Sequence, residues 1–144
     1  MDLPFKRLRP EAELPAAQHD GDAGLDLRSA VEVLVGPGQR AMIPTGVAVA
    51  IPEGHAGLVL PRSGLASERG LTLANAPGLI DAGYRGEVIC AVVNLDRDGK
   101  VEIGVGDRIA QLVIVELPSV SPSWVADLPE SARGDRGFGS TGVA

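Results

Sequence analysis

Apolar residues in this chain come in short runs, and glycine or proline ends each run about every eight to twelve residues. Leu3 to Leu8 reads as a first edge strand, limited by Pro4 and Pro10. Val31 to Val35 alternates Val-Glu-Val-Leu-Val and ends at the turn Gly36-Pro37-Gly38. Ala41 to Pro44 and Val47 to Ile51 form the next pair of strands around Thr45-Gly46. Pro52-Glu53-Gly54 turns again before the run Gly57 to Leu60. Leu71 to Leu73, Val88 to Val93, Val101 to Val105 and Ile109 to Leu117 complete the set, with Gly106-Asp107 splitting the last two. No stretch sustains the apolar spacing of an amphipathic helix, and the one place for a helical turn is Ser63 to Arg69. The pattern predicts an all-β sandwich or barrel with at most one short helix, without internal repeat or second domain.

One stretch interrupts the alternation. Asn75-Ala76-Pro77-Gly78-Leu79-Ile80-Asp81-Ala82-Gly83-Tyr84-Arg85-Gly86-Glu87 lies between the runs Leu71 to Leu73 and Val88 to Val93. Its middle reads as neither strand nor helix. Gly78, Gly83 and Gly86 permit positive φ and Pro77 removes a donor, so the stretch is expected to reverse as a hairpin. An amide (Asn75), an acid (Asp81) and the chain's only tyrosine (Tyr84) fall on it, and loops on a rigid scaffold are where binding groups gather.

Composition narrows the function. At 144 residues the chain has the length of one domain, and 44% of it is hydrophobic. Only Phe5, Tyr84, Trp124 and Phe138 are aromatic, so the core must be built from Val, Leu, Ile and Ala. Two of those rings, Tyr84 and Phe138, sit in glycine-rich loops, where a ring serves best if something stacks on it. The formal charge of −6 argues against a broad surface for nucleic acid. Met1 to Pro10 has no apolar signal region and no apolar run approaches ~18 residues, so a soluble, cytoplasmic, unanchored protein is expected. Cys90 is alone and is expected to be a packed core thiol. His19 and His55 lack partners at catalytic or metal-ligand spacing.

Three carboxylates, Asp20, Asp22 and Asp26, line the turn Asp20 to Leu27. The spacing invites an EF-hand, but the twelfth position is Val31, where a bidentate Glu is required. The turn is then either an acidic surface turn or one with carboxylates near a metal. Arg62-Ser63-Gly64 puts guanidinium donors, a hydroxyl and free backbone N–H groups at the mouth of the short helix, as a phosphate needs. Gln111 adds a polar side chain within an apolar strand. The segment Arg133 to Gly142 repeats the arginine, hydroxyl and glycine chemistry, with four glycines in ten residues. Such an arm orders only on a ligand or a neighbouring subunit. Two Arg/Ser/Gly clusters, an acidic turn for Mg²⁺ and a ring-bearing hairpin suggest a nucleoside polyphosphate. No Walker-type sequence and no strand–helix alternation is present, which excludes P-loop and Rossmann sites.

With these residues in view, the chain resembles the homotrimeric dUTPase family (deoxyuridine 5′-triphosphate nucleotidohydrolases), whose five motifs run in fixed order. Here they read Asp22 to Ala30 (DAGLDLRSA), Pro61 to Ala66 (PRSGLA), Gly78 to Glu87 (GLIDAGYRGE), Gly106 to Leu112 (GDRIAQL) and Arg133 to Gly142. The resemblance implies a jelly-roll domain over residues 1–132 and a glycine-rich arm over 133–144. It also implies a homotrimer with three shared active sites, each closed by a neighbour's arm. Asp81 would activate the water that attacks the α-phosphorus of dUTP. Asn75 and the backbone at Gly78 and Ile80 would read uracil, and Tyr84 would pack under the deoxyribose and exclude a 2′-hydroxyl. Arg62, Ser63, Gly64 and Gln111 would hold phosphate oxygens. Asp26 with Asp22 would reach Mg²⁺ through its water shell. Arg133 would grip the γ-phosphate, Phe138 would stack on uracil, and Gly139, Ser140 and Thr141 would cover the phosphates. Family tails usually have glycine where this chain has Arg136, and a positive φ there would cost ~1–2 kcal/mol. The rivals are a dCTP deaminase, whose hairpin carries a glutamate where this chain has Asp81, and a non-catalytic nucleotide-binding β-domain.

Overall fold

The computed structural model describes residues 1–137, and all its sheet pairings are antiparallel. The strands are β1 (Phe5–Arg7), β2 (Leu25–Arg28), β3 (Val33–Val35), β4 (Arg40–Pro44), β5 (Val47–Val49) and β6 (His55–Leu60). After helix α1 (Ser63–Arg69) follow β7 (Leu71–Leu73), β8 (Gly78–Asp81), β9 (Ile89–Asn94), β10 (Val101–Ile103) and β11 (Arg108–Glu116). A four-stranded sheet in the order β2-β11-β6-β8 faces a three-stranded sheet β4-β9-β7, and the pairs β1-β5 and β3-β10 complete a jelly-roll sandwich. Among the described residues no helix is long and apolar enough to cross a membrane.

The core is aliphatic, as the composition requires. Leu27, Ile43, Leu71, Val92 and Leu112 are all but sealed from solvent, and the buried cluster contains no aromatic residue; Phe5 packs against its edge. Cys90 is buried within it. Desolvation pushes its thiol up to about 12.

Three features depart from the expected pattern. Ala41 to Pro44 and Val47 to Ile51 are not partners: β4 pairs with β9 while β5 pairs with β1, so the chain changes sheet at Thr45-Gly46. Gly46, at φ 75°, supplies the backbone conformation for that change, one that a β-branched or bulky residue would adopt only under strain. The hairpin's middle does contain a strand, since Gly78–Asp81 pairs with β6 along its length. Its glycines do not supply the reversal either, because Gly78, Gly83 and Gly86 are absent from the positive-φ positions. The flanking pair itself forms as expected, with β7 against β9.

Helix α1 has seven residues, starts without a side-chain cap, and ends at Gly70 in the left-handed conformation, whose N–H bonds to the Leu65 carbonyl. Arg69 in the last turn suits the negative end of the helix dipole. The helix buries none of its residues fully, although Leu65 leans on the core. Its place in the fold is to present its N-terminus beside β2 and β11.

Candidate functional site

Most of the residues singled out above gather on two separate cavities. The first, of about 320 Å³, lies where β8 and the segment after it face β9 and β4. Asn75, Gly78, Leu79, Ile80, Asp81 and Tyr84 line it together with Met42, Glu87, Ile89 and Ala91. Alternation along β8 explains the aim of each residue: Gly78 and Ile80 are buried while Leu79 and Asp81 are exposed. Strand β8 is the edge of its sheet, so part of its backbone N–H and C=O groups lie free of the ladder. Among the described residues the Asp81 carboxylate takes part in no hydrogen bond or ion pair; only its backbone is engaged, the carbonyl accepting from the Tyr84 N–H at 3.0 Å.

Tyr84 is half-exposed and its hydroxyl donates to the Glu87 carbonyl at 3.0 Å. The ring lies so close over Gly86 that a Cβ there would stand 2.9 Å from its Cε2 and closer still to Cζ and Oη. The glycine is required for the ring's approach, not for an unusual φ. Glu87 in turn accepts from Arg9 at 2.7 and 3.1 Å and from the Gly46 N–H at 2.8 Å. The hydrogen bond from Arg9 holds the Glu87 carboxyl below its ordinary range.

The second cavity, of about 480 Å³, is lined by Gln18, Asp22, Ala23, Gly24, Asp26, Leu60, Arg62, Ser63, Gly64, Gln111 and Val113. Asp26, Gln111 and Leu60 sit opposite one another across β2, β11 and β6, which places them in one row on one face. Asp26 is 8% exposed and is held between two guanidiniums, Arg62 Nε at 3.2 Å and Arg108 Nη1 at 3.5 Å. Arg62 also reaches the Arg108 carbonyl at 3.4 Å. Gln111 does not face bulk solvent: it is half-buried and its Nε2 donates to the Pro61 carbonyl at 3.0 Å, just before α1. A Cβ on Gly24 would collide with this side chain, its own Cβ standing 3.2 Å away. Gly64 has open space around it, and the N–H groups at the start of α1 are uncapped by any side chain.

For Mg²⁺ the donor set decides the mode of binding. Among the described residues no group of three or more His, Cys, Asp or Glu side chains could hold a metal ion. Both Asp26 oxygens are engaged by arginines, and Asp22 accepts from the His19 N–H at 3.0 Å. These residues do not fit a protein-chelated cation, but they fit an ion carried by a polyphosphate and met through its waters.

Arg133 lines neither cavity; it is exposed, and its Nε donates to the Arg136 carbonyl at 2.9 Å. No non-glycine residue has positive φ among the described residues, so the strain expected at Arg136 is not there. Phe138, Gly139, Ser140 and Thr141 lie outside the described residues. The sequence reading missed Arg108, although it falls inside the fourth motif, and gave Glu87 no role. Arg9 carried no signal, because its partner lies 78 positions away.

Comparison with known proteins gives a consistent picture. The family model described as dUTPase matches residues 10–142. The deoxyuridine 5′-triphosphate nucleotidohydrolase of Mycolicibacterium gilvum (strain PYR-GCK) is 55% identical over 145 residues, covering 97% of this chain and 94% of that protein. The protein of the same name from Streptomyces coelicolor (strain ATCC BAA-471 / A3(2) / M145) is 54% identical over 142 residues, covering 99% and 78%. Among solved structures, a mutant dUTPase of Staphylococcus bacteriophage 80alpha with dUpNHpp matches at a TM-score of 0.93 and 36% identity, covering 99% of both chains. A mutant dUTPase of phage phi11 of S. aureus, described with a structural Mg(II) ion, matches at 0.84 and 32%, covering 90% of this chain and 100% of that one.

Proposed function

The chain belongs to the dUTPase family and is a dUTP diphosphatase, and from that premise we propose that the hairpin cavity of one copy and the arginine-lined groove of another close on a single nucleotide. The observation that carries this reading is the separation of the two cavities, which share no lining residue. Asp81 pairs with Ala56 on β6 and Gln111 pairs with Leu60 on the same strand. Four residues along the strand and two strand spacings across put their Cα atoms about 16 Å apart. Leu79, Leu58 and Val113 form an apolar row between them, a poor bed for a polyphosphate. Reacting atoms must approach to about 3–3.5 Å, so a homotrimer with shared sites suits these residues better than a site within one chain.

In this mechanism Asn75 and the free backbone edge at Gly78 and Ile80 hold uracil and reject a C5 methyl or a 4-amino group. Tyr84 lies under the deoxyribose. Asp81, whose carboxylate is unengaged, accepts a hydrogen bond from a water and takes its proton as the oxygen attacks the α-phosphorus. The bond to the bridging oxygen breaks, giving dUMP and pyrophosphate. Arg62, Ser63, the Gly64 N–H and Gln111 hold phosphate oxygens and stabilise the charge that develops on them. Mg²⁺ carried by the triphosphate would screen that charge, with Asp26 and Asp22 holding it through its water shell. Arg133, Phe138, Gly139, Ser140 and Thr141 complete the site as an arm from a further copy. The cellular role is to supply dUMP for dTTP and keep uracil out of DNA, in the cytoplasm.

The test is a substrate panel. With Mg²⁺ and dUTP, dCTP, dTTP or UTP, chromatography should find dUMP from dUTP alone. Deaminated product from dCTP, or no turnover of dUTP, would sink the reading.

A further inference from the structure

Between the hairpin and the N-terminal turn runs a chain of hydrogen bonds that none of the five motifs explains. Arg9, outside all of them, meets the Glu87 carboxylate through two nitrogens, Nε to Oε1 at 2.7 Å and Nη2 to Oε2 at 3.1 Å. The Gly46 N–H donates to the same Oε1 at 2.8 Å. The Glu87 side chain is 17% exposed, so the fork is partly shielded from water, and its geometry is the bidentate one that arginine favours. The turn that presents Arg9 is itself seated on Gly46: Leu8 N–H bonds to the Gly46 carbonyl at 2.7 Å, and a Cβ on Gly46 would stand 3.2 Å from the Cβ of Arg9. The next residue, Val88, is tied to the same strand change, its carbonyl accepting from buried Thr45 Oγ1 at 2.7 Å and its N–H donating to Val47 at 2.8 Å. Glu87 is therefore held at its side chain and at its C-terminal neighbour. Its carbonyl is the group that accepts the Tyr84 hydroxyl.

We infer that Arg9 is a positioning residue for sugar discrimination: by seating Glu87 it fixes the carbonyl that orients the Tyr84 ring at the hairpin cavity. The inference rests on the reading that Tyr84 excludes a 2′-hydroxyl. Tyr84 is half-exposed, so its direction depends on the hydroxyl's bond and on the space above Gly86. Remove Arg9, and the Glu87 side chain keeps one N–H partner and gains water; its carbonyl is then held only through the Val88 N–H of the same peptide, and the ring's anchor loosens.

The experiment compares kcat/KM for dUTP and UTP in the full chain, with Arg9→Ala, Arg9→Lys, Glu87→Gln, Tyr84→Phe and Tyr84→Ala. Arg9→Ala should lower the dUTP:UTP ratio about fivefold, the factor carried by one hydrogen bond of ordinary net strength. Tyr84→Phe, which cuts the same chain at its other end, should lower it to the same extent. The double variant Arg9→Ala/Tyr84→Phe should fall no further than Tyr84→Phe alone, since both act through one link. Arg9→Lys, which restores one donor, should recover part of the ratio. A merely structural salt bridge would lower stability and leave the ratio at its native value, and that result overturns the proposal. If Arg9→Ala does not fold, Glu87→Gln gives the answer, because the amide oxygen keeps the Gly46 bond while the charge is gone; an unchanged ratio there overturns it equally. Should Tyr84→Ala leave the ratio intact, the sugar reading of Tyr84 is wrong and the proposal falls with it, whereas a drop in Tyr84→Ala with none in Arg9→Ala refutes the role of Arg9 alone.

Discussion

Replacing Gly86 by alanine separates the hairpin's stability from its chemistry. The backbone at Gly86 has no positive φ, so an alanine is tolerated there and should stabilise by about 0.4–1 kcal/mol through the unfolded chain. Against this stands the collision of the new Cβ with the Tyr84 ring, whose Cε2 would be 2.9 Å away. The ring is 46% exposed, so it can swing into solvent, giving up its bond to the Glu87 carbonyl at a net loss of about 0.5–1.5 kcal/mol. The two effects nearly offset, and Gly86→Ala should unfold within about 1 kcal/mol of the native chain. Its dUTP:UTP ratio of kcat/KM should nevertheless fall at least about fivefold, since the ring no longer occupies its place. Urea denaturation and two-substrate kinetics on the same preparation check both halves. A loss of several kcal/mol with the ratio intact would refute the reasoning, because the hairpin backbone, not the ring, would have yielded.

Three other outcomes follow from the geometry. Asp81→Asn should abolish hydrolysis while nucleotide binding, measured by calorimetry, survives; an equal loss of affinity would show that Asp81 holds substrate instead of activating water. Cys90, buried with its thiol pushed up to about 12, should resist alkylation at pH 8 until the chain is unfolded, and rapid labelling of native protein would contradict its burial. The Glu87 carboxyl, held below its ordinary value of 4.5 by Arg9, contributes stability that is present above that pH and lost as pH falls through the depressed folded value. The Tm difference between the native chain and Arg9→Ala should therefore be full at neutral pH and shrink on acidification below 4.5; a constant difference would exclude the carboxylate as its source.

Much of the fold was legible because it depends on local signals. Strand alternation, as in Val101–Ile103 with its outer residues buried and Glu102 exposed, is a property of consecutive residues, and so is the helix between Arg62 and Gly70. Strand β8 was hidden because Pro77 and three glycines dominate its surroundings, while its pairing with β6 is a tertiary fact. The separation of β4 from β5 was hidden for the same reason: a short Thr-Gly link looks like a hairpin, and only the positions of β1 and β9 decide otherwise. In the candidate site, residue types in order singled out Asp81, Tyr84, Arg62 and Asp26 as candidates, and the fold puts the first two on one cavity and the last two on another. What holds them was not visible. Arg9 with Glu87 and Arg108 with Asp26 are joined across 78 and 82 positions, and no local pattern encodes such a pair. The role of Gly86 was likewise misread, because glycine serves close approach as readily as positive φ.

The central claim is that one chain holds only half of each requirement, and mixing two crippled chains tests it most directly. Asp81→Asn and Arg62→Ala chains, each inactive alone, are unfolded together in equal amounts and refolded. In a three-fold ring where each site takes Asp81 from one copy and Arg62 from its neighbour, about a quarter of the sites then contain both native side chains. The account predicts dUTP hydrolysis returning to about a quarter of the native rate in the mixture. A mixture as inactive as its two components would contradict it, because Asp81 and Arg62 would then have to act from the same chain.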